Sequence, residues 1–264
     1  MQMPDFTLSL VQTDLQWHDP AANRDALGQL LADTLAGPGL TDLIVLPEMF
    51  TTGFSMDTTQ AEPLAGPTLA WLREQAAHYD AVVTGSVMLT DGEHYYNRLL
   101  WVRPDGSYSS YDKRHLFRMS GEHEVFTPGG TERLVEEWRG WRICPLICYD
   151  LRFPVWSSNS GHEPYDLLLY VASWPDARIS AWKLLLQARA IENLAYVAGV
   201  NRIGLDGNAL EYSGFSMLLD PRGDHLAQAG SLPTVLTRRL MRHALHDLRE
   251  HLSALLDADE FELK

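Results

Sequence analysis

Apolar positions along the chain follow two periods. Short, largely apolar runs at Phe6–Gln12, Asp42–Leu46, Ala81–Met88, Trp141–Ile147 and Leu167–Ala172 have the length and turn-bounded ends of strands, and the continuous ones read as buried on both faces. Helical spacing fills several of the gaps. A helix is predicted from Pro20, with Asp19 as its cap, to Leu35, where Gly37-Pro38-Gly39 stops it. Gly66-Pro67-Thr68 opens a second helix, ending near Tyr79, and Pro154 a short third. A fourth covers about Ser180–Leu194, with Leu184, Ala188, Ile191 and Ala195 at helical spacing. The tail from Met241 to about Leu256 is predicted helical, with Leu245, Leu248 and Leu252 as its apolar stripe.

Tyr95–Val102 and Tyr108–Lys113 read as a hairpin across Pro104-Asp105-Gly106, because proline presets φ and glycine accepts a positive one. Phe117–Gly130 has no steady period and is predicted to be a long loop, a kind of segment that in compact domains is usually functional or disordered. Further strands are expected near Tyr196–Val200, Phe215–Leu219 and Val235–Leu240. Strands alternating with helices, with antiparallel hairpins mixed in, predict an α/β fold of mixed sheets between helix layers. With no Pro/Ser-rich linker, low-complexity tract or repeat, residues 1–264 read as one domain ending in a C-terminal helix and tail from about residue 241.

Composition narrows the function classes. The chain is 45% hydrophobic, which is globular rather than disordered or fibrous. Its 21 Lys and Arg against 35 Asp and Glu leave a net charge of −14. Such a surface repels phosphate backbones and anionic lipid, so neither nucleic acid nor membrane is expected as a partner. The N-terminus shows no signal pattern, and the apolar runs fall far short of the ~20 residues of a membrane helix. Cys144 and Cys148, four apart in a strand, would have α-carbons roughly 13 Å apart, too far for a disulfide. A cytoplasmic, reduced protein with two free thiols is expected.

Cys148 ends a strand and precedes a turn, the placement of a nucleophile elbow whose next N–H can face a reacting carbonyl. The other reading is a buried structural thiol, which is the reading for Cys144. A thiol at its ordinary pKa needs a base or a positive field. Glu48 follows a buried strand in Leu46-Pro47-Glu48 and is a candidate base; an edge salt bridge is the alternative. Lys113 ends a hairpin strand, where an ammonium beside the thiol would lower its pKa and hold an oxyanion; a solvated turn is the alternative. Gly129-Gly130 lacks any phosphate-loop pattern, and His243 and His246 lack a third metal ligand. Ser157–Gly161 reads as loop rather than as a serine nucleophile.

Pro47-Glu48-Met49-Phe50, Tyr111-Asp112-Lys113-Arg114-His115-Leu116-Phe117 and Ile147-Cys148-Tyr149-Asp150-Leu151-Arg152-Phe153-Pro154 resemble the three signature blocks of the nitrilase (carbon–nitrogen hydrolase) superfamily, in that family's order. Gly121-Glu122-His123, Ser173-Trp174-Pro175, Ala188–Asn193 and Tyr212-Ser213-Gly214 extend the resemblance over nearly the whole chain. Leu116–Met119, Ser173–Pro175 and the ending Asp257–Phe261 are similar to the bacterial ω-amidase branch. The resemblance implies an α-β-β-α sandwich that forms homodimers or larger assemblies and needs no cofactor. It implies Glu48 as general base, Lys113 as transition-state stabiliser, Cys148 as nucleophile and Glu122 as a second active-site glutamate. The implied reaction is hydrolysis of the terminal amide of dicarboxylic acid monoamides such as 2-oxoglutaramate and succinamate. The oxyanion would rest on Lys113 and the Tyr149 N–H. Arg178 is the candidate for the substrate carboxylate, with Arg114, Arg118, Arg152 and Arg202 as rivals, and Trp174 the candidate pocket wall. An N-carbamoyl-amino-acid amidohydrolase, a nitrilase and an inactive scaffold are the alternatives.

Overall fold

The computed structural model describes residues 4–159 and 163–259; the readings for Ser160-Gly161 and for Glu260-Phe261 lie outside them. The first half runs β1 (Phe6–Gln12), α1 (Pro20–Thr34), β2 (Leu43–Val45), β3 (Glu62–Pro63), α2 (Pro67–Tyr79), β4 (Val82–Thr90), β5 (Tyr95–Val102) and β6 (Tyr108–Asp112). Next come α3 (Glu122–Val125), β7 (Glu136–Trp138), β8 (Trp141–Ile147), α4 (Pro154–Ser157), β9 (Leu167–Ala172), α5 (Ile179–Asn193) and β10 (Tyr196–Asn201). The chain continues through β11 (Ile203–Leu205), β12 (Glu211–Ser213), β13 (Met217–Leu219), β14 (His225–Gln228), β15 (Thr234–Leu240) and α6 (Arg242–His251).

Two mixed sheets form the centre of an α-β-β-α sandwich. The first has the order β15-β1-β2-β4-β5-β6, with β3 beside β4, and the second β14-β13-β10-β9-β8-β7. β1, β2 and β4 run parallel, as do β8, β9 and β10, and antiparallel strands flank each set. Strand alternation explains the layers. Leu43, Val45, Val82, Leu99 and Trp101 join the core between the sheets, while their neighbours Ile44, Leu46, Val83, Leu100 and Val102 join a second core under α1 and α2. The continuous apolar runs are therefore strands covered on both faces. Asp19 caps α1 by accepting the Ala22 N–H at 3.0 Å.

Several elements depart from the sequence reading. On α5 the buried stripe is Trp182, Leu186, Arg189, Ala190 and Asn193, whereas Leu184 and Ile191 are 66% and 54% exposed. The helix is apolar on several sides, so spacing alone does not select the inward one. Its inward polar side chains bond to other elements: Arg189 donates to the Leu151 carbonyl at 2.6 Å and Asn193 accepts the Asn159 N–H at 2.8 Å. Gly199 admits the close approach, since a β-carbon there would lie 2.5 Å from Leu186 and 2.7 Å from Trp182. The Phe117–Gly130 segment contains a 3₁₀ turn at Arg118–Ser120 and the four-residue α3. β13 starts only at Met217, because Gly214 and Phe215 have left-handed φ values of 74° and 54°. The last helix stops at His251, and only Leu245 of its expected stripe is fully buried.

Candidate active site

Strand ends bring the predicted residues together. Glu48 follows β2, Lys113 follows β6, Cys148 follows β8 and Ser173 follows β9, while Glu122 opens α3. Glu48 Oε1 accepts from Lys113 Nζ at 2.8 Å, and Oε2 accepts the Ser173 N–H at 2.8 Å. Lys113 Nζ also donates to both oxygens of Glu122 at 2.9 Å, and the Phe117 N–H donates to Glu122 Oε2 at 2.6 Å. Glu48, Glu122 and Lys113 are all essentially inaccessible to solvent. The solvated-turn and edge-salt-bridge readings of these residues are set aside by that burial.

Cys148 has φ +43°, a left-handed backbone that non-glycine residues seldom adopt. Asp150 holds this turn. Its carboxylate accepts the Ile147 N–H at 3.0 Å and the Tyr111 hydroxyl at 2.8 Å. It also meets the His115 N–H at 3.1 Å and His115 Nδ1 at 2.8 Å. The Cys148 turn is thereby tied to the segment around Lys113. Sequence reasoning assigned Asp150 no role, although an acid three residues beyond a buried strand carried the signal. Asn97 was also missed; it donates to Glu48 Oε1 at 2.8 Å and Glu122 Oε1 at 3.1 Å. Its only signal was a polar side chain among the apolar positions of β5.

Lys113 pulls the Cys148 thiol downward, as expected of a neighbouring ammonium, but this pull is outweighed. Burial pushes the Cys148 thiol well above its ordinary range, the Glu48 charge adds to this, and the opposing pull of Lys113 is smaller. The ammonium alone therefore does not make a resting thiolate. Burial opposes the Lys113 charge, but Glu122 and Glu48 together outweigh it and hold the ammonium firmly protonated. Burial also raises the Glu122 carboxyl, with Lys113 opposing and Glu48 adding to the rise. Cys144 is fully buried and its thiol is pushed up to about 12 by burial, as a core cysteine requires.

The cluster opens into a cavity of about 570 Å³. Cys148, Tyr149 and Lys113 line it; Trp17, Phe54, Met56 and Leu210 supply apolar wall. Trp174, only 3% exposed, lines it too and donates its indole N–H to the Arg178 carbonyl at 2.8 Å. Of the five arginines considered for the substrate carboxylate, Arg178 and Arg152 line this cavity. Their guanidinium carbons lie 5.3 Å and 4.9 Å from the ring centres of Phe117 and Trp174, and among the described residues neither has a carboxylate partner. Arg202 is buried and paired with Asp14 at 2.9 Å, Arg114 donates to the Gly129 carbonyl at 2.8 Å, and Arg118 is exposed outside the cavity. His246 stands with Asp247 and Glu250, not with His243, in a fully exposed group on α6, as on an ordinary charged helix face. Among the described residues no helix is long and apolar enough to cross a membrane.

A family model described as carbon-nitrogen hydrolase matches residues 7–250. An omega-amidase YafV from Yersinia enterocolitica is 47% identical over 260 residues, 98% of this chain and 99% of the relative. A 2-oxoglutaramate amidase from Bacillus subtilis is 30% identical over 96% of this chain and 97% of its own. The crystal structure of XC1258 from Xanthomonas campestris, described as a CN-hydrolase superfamily protein with an arsenic adduct in its active site, superposes with a TM-score of 0.95. It is 49% identical over 99% of this chain and 100% of its own.

Proposed function

The chain belongs to the carbon–nitrogen hydrolase family, and from that premise we propose that it cleaves the terminal amide of four- or five-carbon dicarboxylic acid monoamides through a thioester on Cys148, releasing ammonia. The observation that carries this reading is the buried Glu48–Lys113–Glu122 cluster meeting a cysteine at a cavity whose two arginines have no carboxylate partner among the described residues. The omega-amidase and 2-oxoglutaramate amidase relatives support the substrate class.

Glu48 accepts the Cys148 proton as sulfur adds to the amide carbon. The carbonyl electrons move to oxygen, where Lys113 Nζ and the Tyr149 N–H stabilise the oxyanion. Lys113 has three protons and three contacts, two of them to the one Glu122 carboxylate. One proton can therefore turn to the oxyanion without releasing either glutamate. When the C–N bond breaks, Glu48 returns its proton to the departing ammonia and leaves the thioester. Glu48 then takes a proton from water as its oxygen adds. Collapse breaks the C–S bond, frees the acid and restores the thiol. Glu122 keeps Lys113 in place and shares its charge.

Arg178, with Arg152 lining the same cavity, would hold the distal carboxylate. Arg178→Ala should lower kcat/KM for succinamate by roughly 2 kcal/mol or more, the scale of a charge-assisted hydrogen bond, and leave a neutral amide of equal length nearly unchanged. Equal losses on both substrates would make Arg178 structural, and the same two assays on Arg152→Ala would then decide the second arginine. Ammonia release from succinamate, 2-oxoglutaramate, glutamine, asparagine, carbamoyl amino acids and nitriles tests the whole reading. Preference for a carbamoyl amino acid or a nitrile would overturn it.

The exposed Leu184 and Ile191 on α5 support self-association into a homodimer or larger homo-oligomer. Sedimentation should give a mass of at least twice 29.8 kDa, and Leu184→Asp should lower it. Two free thiols, one of them the nucleophile of this reading, fit a reducing cytoplasmic setting.

A further inference from the structure

Asn97 on β5 is completely buried and joins the charged residues in two ways. Its backbone carbonyl accepts the Lys113 N–H at 3.0 Å. Its side-chain nitrogen donates to Glu48 Oε1 at 2.8 Å and Glu122 Oε1 at 3.1 Å, the same two oxygens that Lys113 Nζ contacts at 2.8 Å and 2.9 Å. Asn97 Nδ2 and Lys113 Nζ are thus two donors bridging one pair of acceptors, a closed ring of alternating donors and acceptors. Asn97 Oδ1 is buried and has no hydrogen-bond partner among the described residues. An orphaned acceptor is unfavourable, but turning the amide over would aim that oxygen at two carboxylates. The carboxylates therefore fix the amide's orientation, and what the side chain supplies to the site is its two N–H donors.

We propose that Asn97 is a positioning residue that keeps Glu48 and Glu122 both ionised and side by side, so that Glu48 is free to take the Cys148 proton. The proposal rests on Glu48 acting as the base. Two carboxylates in one buried site repel, and such a pair tends to retain a proton. The groups facing this pair are Lys113, the Cys148 thiol and the N–H groups of Ser173 and Phe117, with the Tyr212 hydroxyl also within the field of Glu48. Lys113 is the only cation among them, and it serves both carboxylates. The Asn97 amide is the other donor that reaches both without adding charge. With it removed, the repulsion falls on Lys113 alone and protonation of a glutamate becomes easier. A proton on Glu48 disables the base, so the acid limb of Cys148 activation moves to higher pH.

The test is the rate of iodoacetamide alkylation of Cys148 from pH 5 to 9, with kcat and KM for succinamate, in the wild type, Asn97→Leu, Asn97→Ser and Glu48→Gln. Asn97→Leu has nearly the same volume and no donors. It should move the acid limb up by about one pH unit or more and lower kcat by about 100-fold, with KM held within about threefold. Asn97→Ser, which keeps one hydroxyl donor, should fall between it and the wild type. Rates are normalised to alkylatable Cys148, so partial misfolding does not mimic the effect. If the leucine variant does not fold, the serine variant decides. A limb that superimposes on the wild type overturns the proposal. Glu48→Gln separates the two ideas: wild-type rates there would remove the base itself, whereas an inert Glu48→Gln beside an unshifted Asn97 variant would remove only the role of Asn97.

Discussion

Cys148→Ala should abolish ammonia release from every amide while the fold persists. The side chain is small and borders the cavity, so its removal leaves little new void and should change stability by no more than about 1–2 kcal/mol. Alanine meets the same left-handed backbone as cysteine at φ +43°, so no new strain is introduced. Asp150 still accepts the Ile147 N–H and the Tyr111 hydroxyl, which keeps the turn closed. Iodoacetamide followed by peptide mapping gives the complementary result. Cys148 should carry the label, because it lines the cavity and faces Glu48, while Cys144 is sealed in the core with its thiol raised to about 12. Preferential labelling of Cys144, or residual turnover in the alanine variant, would remove Cys148 from the mechanism.

Much of the architecture was legible because burial on both faces writes itself into sequence as unbroken apolar runs. β1, β8 and β9 occupy the predicted residues. The hairpin closes over Pro104-Asp105-Gly106 with Gly106 at φ +82°, as its turn chemistry requires. The inward side of α5 was not legible. Leu184 and Ile191 have the right spacing but face out, while Arg189 and Asn193 face in and bond to Leu151 and Asn159. A stripe read from polarity cannot anticipate polar side chains whose partners come from other elements. β7, β11, β12 and β14 were missed for a related reason, since three or four residues carry too little period to stand out.

Strand ends made Glu48, Lys113 and Cys148 visible one at a time, and only the family resemblance supplied a role for Glu122. Their mutual geometry depends on Asn97 and Asp150, whose contacts span 25 to 49 residues of sequence in the first case and up to 39 in the second. No local pattern encodes such a contact. The five candidate arginines were likewise indistinguishable in sequence. Folding sorts them by what neutralises them: Arg202 meets Asp14, Arg114 meets a backbone carbonyl, and Arg152 and Arg178 lie over aromatic rings at the cavity.

Lys113→Met should lower turnover by roughly 10²–10³-fold, the effect of losing one preorganised oxyanion donor, and should also destabilise the fold in a pH-dependent way. Breaking a buried ion pair by removing one partner costs about 3–5 kcal/mol, because the remaining charge stays buried. Here two carboxylates remain, Glu48 and Glu122, both inaccessible to solvent. Without the ammonium the Glu122 carboxyl, already raised by burial, rises further above its value in the unfolded chain. The folded variant then binds protons that the unfolded chain does not, so its stability increases as pH falls and is lost as pH rises through the raised value. In the wild type Lys113 opposes that rise at Glu122, so the deficit of the variant should be larger at pH 8 than at pH 5.5 in urea denaturation. Glu48→Gln should cost about 10²–10⁴-fold in turnover as the loss of a general base, yet it removes one of the two stranded charges. The double variant should therefore be more stable than Lys113→Met alone and no more than slightly less active than either single variant, since the residues act as one unit. Equal stability deficits at the two pH values, or turnover within about tenfold of wild type in either single variant, would contradict this account of the cluster.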